Sequence, residues 1–573
     1  MSTGVMERFV SRRHKGENRR NERLNDLERF KAAQPVLDGP RLQGGLDPSD
    51  LSEVEKDELM DRVLNMDAIQ FGEELLGVIW SEKQKELLEL QDIYPKVAVA
   101  GCNSSGKTFT QAPVAIRDLI MHDEVSVMQI SPTLNQSQEV FWNAMRSLYN
   151  RAPAVRGMLG DKEMLKSRIE IDDLRRCITL SPSDEYHIRG FHALFTRFVL
   201  DEGNGIDALF FEAMRGVGAS GTIRTIQLGN PTSNSGVFYD CWDDPSLGWH
   251  TMNISAFDSP NLISLEVPEW FGDISDAPGP ISDENRVKLA YLGWLYQQYL
   301  KKSKGRRPEE IEEYCILDYA PFPHLTRRMF VAEELFASAK PNNPTWFGRV
   351  LGIAPDYAEN QLFSRTEVNN AREASEFVYG RGPMLFGCDP AGQGQNEWCL
   401  QGVQVDMENG MRHHLVVDEG YQGTTDLEQA IAGMKPYAEM GIIEWINIDR
   451  MGAGERPAVE ITRWAGQYGI PVVPFVSQGT STNPTQFYNM KAQAYAHLKD
   501  LFGVGMMQGI SGDLMRRQLL TVHYDRTQRG QFQMETKEKM RKRGVSSPDR
   551  ADGLAYACFP AVSIAPQHYW AGG

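Results

Sequence analysis

The stretch "KVAVAGCNSSGKTFTQAPVAIRDLIM", residues 96–121, constrains the fold more than any other part of the chain. A short run with no polar face reads as a strand buried on both sides, and an apolar pattern of helical period follows it. Between them stands G-x-x-x-x-G-K-T, formed by Gly101, Cys102, Asn103, Ser104, Ser105, Gly106, Lys107 and Thr108. A glycine-rich turn from a strand into a helix N-terminus points backbone N–H groups at one spot, which suits a phosphate chain. Lys107 would reach the β and γ phosphates, and the Thr108 hydroxyl would ligate Mg²⁺, so the reading is ATP with Mg²⁺.

The neighbouring pattern supports this. "VSVMQIS", "LFTRFVLDE" and "TIRTIQLGN" read as further strands, "LNQSQEVFWNAMRSLYN" as a helix and "SRIEIDDLRRCITLS" as a hairpin. Strands alternating with helices imply a parallel sheet covered on both faces, an α/β P-loop domain of the RecA/ASCE-like kind. The strand "RFVLDE" ends in Asp201, placed to hold Mg²⁺, and Glu202, placed to orient water as general base. The next strand ends in Gly229-Asn230-Pro231, and Asn230 is a candidate for sensing the γ phosphate and coupling hydrolysis to other segments. Trp80 and Gln84, upstream of the loop, stand at a distance suited to adenine contacts.

A second α/β order begins near Pro383: three strands ("PMLFGCDPAG", "WCLQGVQVD", "HHLVVDEGY"), a helix, the strand "IIEWINID", and finally "SPDRADGLAYACF". Asp389 closes the first strand, Asp449 closes the fourth, and Asp552, with Asp549 beside it, opens the last helix. Acids at these points of a β-β-β-α-β…α order are those of a ribonuclease-H-like fold. Carboxylates brought together in this way repel one another and resist desolvation, so divalent metals are implied. Two Mg²⁺ or Mn²⁺ ions there would activate water and stabilise the leaving 3′ oxygen of a phosphodiester.

At 573 residues the chain exceeds one core. The divisions read from the sequence are a charged arm over 1–55, a P-loop ATPase domain over 56–345 with a lid or linker region from about 258, a linker over 346–382, and a nuclease domain over 383–573. Net charge is −17, which excludes a surface basic all over but leaves room for local basic channels at 8–31, 301–307 and 537–543. No apolar run approaches the roughly 20 residues of a membrane span, and the N-terminus lacks a signal-peptide pattern. The seven cysteines never form Cys-x-x-Cys, which points away from a zinc or disulfide framework.

Taken together, "GCNSSGKT", "FVLDE", "LGNP", "PTWFGRVLG", "GCDPAG", "INIDRMG", "FYNMKAQAY" and "SPDRADGLAYA" resemble the large subunit of tailed-bacteriophage and herpesvirus-type terminases over roughly residues 70–565. The resemblance implies an ATPase that drives double-stranded DNA into a procapsid and an endonuclease that cuts concatemers. It also implies work on a portal protein, a small terminase subunit as partner, a homo-oligomeric ring, no membrane, and a place in the host cytoplasm outside the mature virion. By it, Gly101–Thr108 is the Walker A loop, Asp201 and Glu202 the Walker B pair, Asn230 part of the coupling motif, and Asp389, Asp449 and Asp552 the nuclease ligands.

Two departures stand out. Many terminases carry an arginine in or just before the phosphate loop, and this loop has none; a further Asp after the first nuclease strand is replaced by "GQGQNEW" with Asn396. Arg189, in a turn before the Asp201 strand, is the expected guanidinium donor in trans, with Arg224 as the alternative. Two rivals are weighed. A helicase–nuclease predicts a second RecA-like domain, which the pattern after residue 260 lacks. A capsid- or portal-associated structural subunit predicts no hydrolysis at all.

Overall fold

The computed structural model describes residues 53–560, apart from 132–137, 181–192, most of 207–220, 235, 358–359, 373–375, 391–396, 423–426, 511, 543–544 and 546. The described chain forms two compact units. One comprises the residues up to Gly229 with Gly248–Leu265 and Tyr319–Arg328; the other comprises Asn230–Leu247, Glu266–Asp318 and Met329 onward. Residues 266–318, within the stretch the sequence divisions give as a lid or linker region from about 258, group with the C-terminal sheet.

The first unit is built on seven strands: β1 (Lys96–Gly101), β2 (Val125–Ile130), β3 (Arg168–Glu170), β4 (Arg175–Leu180), β5 (Phe195–Asp201), β6 (Thr222–Gly229) and β7 (His250–Ile254). Their order is β3-β4-β2-β5-β6-β1-β7, all parallel except β3 against β4. Every residue of β2 and β5 is buried, as a sheet covered on both faces requires. Arg197, the one cation in β5, is neutralised by a buried ion pair with Asp118. That aspartate belongs to the helix Gln111–Met121, which begins one turn after the phosphate loop. Pairing Asp201 with Leu228, Ala100 with Gly229 and Gly101 with Ile254 brings the ends of β5, β6, β1 and β7 to one sheet edge.

The second unit centres on a six-stranded sheet of β8 (Met384–Asp389), β9 (Glu397–Val405), β10 (Arg412–Gln422), β11 (Ile443–Asp449), β12 (Val472–Phe475) and β13 (Met507–Gln508), in the order β12-β11-β8-β9-β10-β13. β8, β9 and β10 form an antiparallel meander, whereas β11 runs parallel to β8. A separate hairpin joins β14 (Tyr524–Arg526) and β15 (Phe532–Met534). Four helices matter below: α1 (Met490–Gly503), α2 (Asp513–Thr521), α3 (Lys537–Lys542) and α4 (Asp549–Cys558). The α/β class with a P-loop sheet and a ribonuclease-H-like sheet is the one read from the sequence.

Small residues let α4 lie directly on the sheet. A Cβ on Gly387 of β8 would collide with the carbonyl of Gly553 in α4. The far end of α4 is pinned by Asn447 of β11, whose amide donates to the carbonyls of Tyr556 and Phe559, both at 2.7 Å. At the near end, Gln518 of α2 accepts from the Arg550 amide at 2.8 Å. The helix is thereby fixed in register, which places its two acids.

A buried charge network anchors the short helix Val237–Asp243, just downstream of β6. Arg516 of α2, 2% exposed, donates to Asp240 at 2.5 Å and to Asp243 at 2.6 Å. Asp243 also accepts from Arg365 at 2.7 Å, and Asp240 pairs with Arg517 at 2.6 Å. The residues following Asn230 are thus held by side chains of the unit that carries the second sheet.

Candidate functional site

The phosphate loop has the backbone of an anion cradle. Ser104 and Gly106 take left-handed conformations, with φ of 55° and 80°. The positive φ favours glycine at Gly106, and a Cβ there would also displace the Gln84 amide. Lys107 is buried and donates to the Cys102 carbonyl at 3.3 Å, its ammonium turned into the loop. Ser105 Oγ is buried without a hydrogen-bond partner among the described residues, an orphaned donor of the kind a phosphate oxygen satisfies. The residues present fit a nucleoside triphosphate.

The Walker B pair meets this loop. Thr108 Oγ1 donates to Asp201 Oδ1 at 2.9 Å, bringing together the two groups expected to share Mg²⁺. Burial, and then the neighbouring Glu202 charge, pushes the Asp201 carboxyl up to about 6. A divalent cation beside it would favour the charged form and lower it again. Glu202 has φ 52° and ψ 47°, a left-handed conformation that costs a non-glycine residue. The strain falls on the residue expected to orient water, and it turns the chain sharply at the sheet edge.

Gln84 is buried beside Gly106, while its Oε1 accepts from the Ser81 amide at 3.0 Å, closing a helix cap. Trp80, by contrast, is a packing residue: it is 4% exposed, donates to the Ile69 carbonyl at 3.2 Å and covers Gly72. An adenine contact from Trp80 is not what the structure shows. Arg224 also departs from expectation. It sits near the start of β6, five residues before the phosphate edge, and donates to the Gln91 carbonyl at 2.6 Å. At a rise of ~3.3 Å per residue that leaves it roughly 16 Å down the strand. Arg189 and Asn396 lie outside the described residues. Asn230 directly follows the last residue of β6.

One contact to the loop was not foreseen. Thr326 Oγ1 donates to the Asn103 carbonyl at 2.6 Å, and Cys102 Sγ lies 3.4 Å from the same oxygen. A hydroxyl has one proton, so the thiol is the donor in the second contact. Burial pushes the Cys102 thiol up to about 11, which keeps that proton in place. Asn261 fixes the segment by donating to the carbonyls of Phe322 at 2.8 Å and Thr326 at 3.1 Å. Residues 322–326 therefore clamp the loop from a distant part of the chain.

In the second unit, Asp389, Asp549 and Asp552 place carboxylate oxygens within 4.8 Å of one another. Burial, and then the Asp552 charge, raises the Asp389 carboxyl well above the usual carboxylate range. Three hard oxygen donors, Asp549 and Asp552 buried and Asp389 half-buried, fit divalent ions such as Mg²⁺ or Mn²⁺. Asp549, which the sequence places beside Asp552, belongs to the group; Asp449 does not, although it ends the adjacent strand β11, level with the end of β8. Its carboxylate accepts from the Met451 amide at 3.1 Å, and burial raises it too.

Two side chains of α1 complete the cluster. Lys491 Nζ lies 2.5 Å from Asp552 Oδ2, and the Tyr495 hydroxyl donates to Asp552 Oδ1 at 2.5 Å. Burial alone would lower the Lys491 ammonium, but Asp552 and Asp389 outweigh it and raise it. The signal in the sequence was the spacing of four between Lys491 and Tyr495 in "FYNMKAQAY", one face of a helix.

No family model matches the chain, and no curated protein does. Among solved structures, the chain is similar to large terminases from several phages. It is 12% identical to the HK97 bacteriophage large terminase, covering 88% of this chain and 99% of that one at a TM-score of 0.39. A second large terminase, from a thermophilic bacteriophage, is 12% identical over 85% of this chain and 100% of that one, with a TM-score of 0.29. The large terminase nuclease of thermophilic phage G20c, with bound magnesium, is 18% identical over 35% of this chain and 97% of that one, with a TM-score of 0.25.

Proposed function

We propose that this chain is a viral genome-packaging motor, hydrolysing ATP to drive double-stranded DNA into a procapsid and cutting concatemeric DNA with a metal-dependent endonuclease. The observation that carries the reading is the presence in one chain of a phosphate loop joined to Asp201 through Thr108 and a separate cluster of three carboxylates, two of them buried.

In the ATPase site, the amides of Gly101–Thr108 hold the phosphates and the Lys107 ammonium offsets charge on the terminal ones. Thr108 and Asp201 would hold Mg²⁺. Glu202 orients the attacking water and accepts its proton. Asn230, next after β6, passes the state of the terminal phosphate to the helix Val237–Asp243. In the nuclease site, Asp389, Asp549 and Asp552 would hold the divalent ions, with Asp449 as the further carboxylate at the neighbouring strand end. Bound ions supply an activated water and stabilise the leaving 3′ oxygen. Lys491 and Tyr495 hold both oxygens of Asp552, fixing its orientation. Arg189 of a neighbouring subunit is the proposed trans guanidinium, and portal protein, small terminase subunit and a ring of copies are the proposed partners.

The test separates the activities in the purified protein. Lys107→Ala should lose ATP hydrolysis and keep Mn²⁺-dependent DNA cleavage, while Asp389→Ala should do the reverse. A wild type that performs neither reaction would favour a structural subunit.

A further inference from the structure

In the second unit the surface opens into a groove of about 560 Å³ whose lining includes Tyr488, Asp525, Arg526, Gln528, Arg529 and Lys539. It lies on the β14–β15 hairpin and the first turn of α3, outside the machinery described above. Three of the lining side chains are cationic and one is acidic, in a chain whose net charge is −17. Asp525 is engaged by Lys539 at 2.9 Å, and Arg526 reaches back to the Gly530 carbonyl at 3.2 Å. Arg529 and Gln528 are exposed at the hairpin tip, and Tyr488 is 53% exposed. Cations, an amide donor and an open aromatic face around one groove form the inventory of a nucleic-acid backbone site.

The backbone ties this groove to the cluster. The Tyr488 amide donates to the Phe532 carbonyl at 2.9 Å, and the Phe532 amide donates to the Gln486 carbonyl at 2.8 Å, so the hairpin is sewn to the segment entering α1. Asn489 then caps α1, accepting from the Ala492 amide at 2.9 Å. In its first turn Lys491 reaches Asp552. Two residues separate Tyr488 from Lys491, so their Cα atoms lie at most about 11 Å apart. The hairpin that lines the groove is therefore anchored next to the helix whose Lys491 contacts the cluster, which puts the groove on the path of DNA running on from a bond held there.

We infer that this groove grips the phosphate backbone of duplex DNA flanking the bond to be cut, with Arg526, Arg529 and Lys539 as the phosphate contacts and Tyr488 against the sugar. The inference rests on the nuclease reading of the carboxylate cluster. It assigns the cations to positioning rather than to sequence choice, because phosphate contacts carry no base information.

The experiment uses the full chain and two double variants, Arg526→Gln/Arg529→Gln and Arg526→Lys/Arg529→Lys. Binding of a fluorescent duplex is measured in Ca²⁺ over a range of salt. Loss of two phosphate contacts should flatten the slope of log affinity against log salt by ~1.8, and the lysine pair should keep the wild-type slope. Duplex cleavage in Mn²⁺ should fall at least tenfold in the glutamine pair. Mn²⁺-dependent hydrolysis of bis(p-nitrophenyl) phosphate, too small to reach the groove, and ATP hydrolysis should stay within twofold, which also shows that the variant is folded. An unchanged salt slope in the glutamine pair overturns the groove. A wild type that binds with the expected slope yet cleaves neither substrate overturns the nuclease reading and leaves the groove standing as a DNA-binding surface.

Discussion

Thr326→Val removes one hydroxyl and almost no volume. The native oxygen donates to the Asn103 carbonyl at 2.6 Å and accepts the Cys102 thiol, in a side chain 2% exposed. Valine leaves a part-buried carbonyl and a buried thiol without this partner. Stranding a buried acceptor costs ~1–3 kcal/mol, the thiol adding little because S–H is a weak donor. The loop escapes that cost by relaxing from the conformation in which its amides converge. The cost therefore falls on nucleotide binding, which must restore the cradle, and 1–3 kcal/mol corresponds to roughly 5–150-fold in affinity. Titration with a fluorescent ATP analogue should show this weakening, with kcat at saturating ATP within about threefold of wild type. Thr326→Ser, which keeps the hydroxyl, should restore affinity. A Thr326→Val protein that binds nucleotide as wild type does, or a serine variant no better than valine, would refute the clamp.

Other consequences are as direct. Asp549→Asn should abolish DNA cleavage as fully as Asp552→Asn and Asp389→Asn, with ATP hydrolysis retained; cleavage surviving Asp549→Asn would remove it from the cluster. Arg516→Met leaves Asp240 and Asp243 without their shared guanidinium and should lower unfolding stability by ~3–5 kcal/mol, read as an earlier midpoint in urea; an unchanged midpoint would show that Arg365 and Arg517 suffice. Because the folded protein raises the Asp201 carboxyl from 3.8 to about 6, it binds more protons than the unfolded chain between those values. Stability of the nucleotide-free protein should therefore fall as pH rises through that window, by on the order of 3 kcal/mol from this group, and level off above it. Asp201→Asn should flatten that part of the profile, and an unaltered profile would contradict the assignment.

The phosphate loop and its Asp-Glu partner were legible because each is a contiguous segment ending a buried strand, where pattern and chemistry coincide. The order of the second sheet was legible for the same reason, and so were Asp389 and Asp552 as strand-ending and helix-opening acids. What escaped depends on side-chain direction or on contacts distant in sequence. Thr326 lies 223 residues from the carbonyl it holds. Lys491 and Tyr495 are ordinary helix residues until α1 is laid beside α4. Asp549 and Asp552 are three apart on one helix, so both can face β8, whereas the Asp449 carboxylate turns to its own following backbone. Strand β7 was missed because "HTMNI" alternates poorly and becomes a strand by pairing with β1.

The most direct measurement is ATP-dependent protection of linear duplex DNA from nuclease digestion, with purified protein and empty procapsids. Wild type should protect DNA only when ATP is present, Glu202→Gln should bind ATP yet protect none, and Asp389→Asn should protect DNA that already has an end while failing to cut concatemers. Protection that survives Glu202→Gln, or its absence with wild type and ATP, would contradict a packaging motor driven from this phosphate loop.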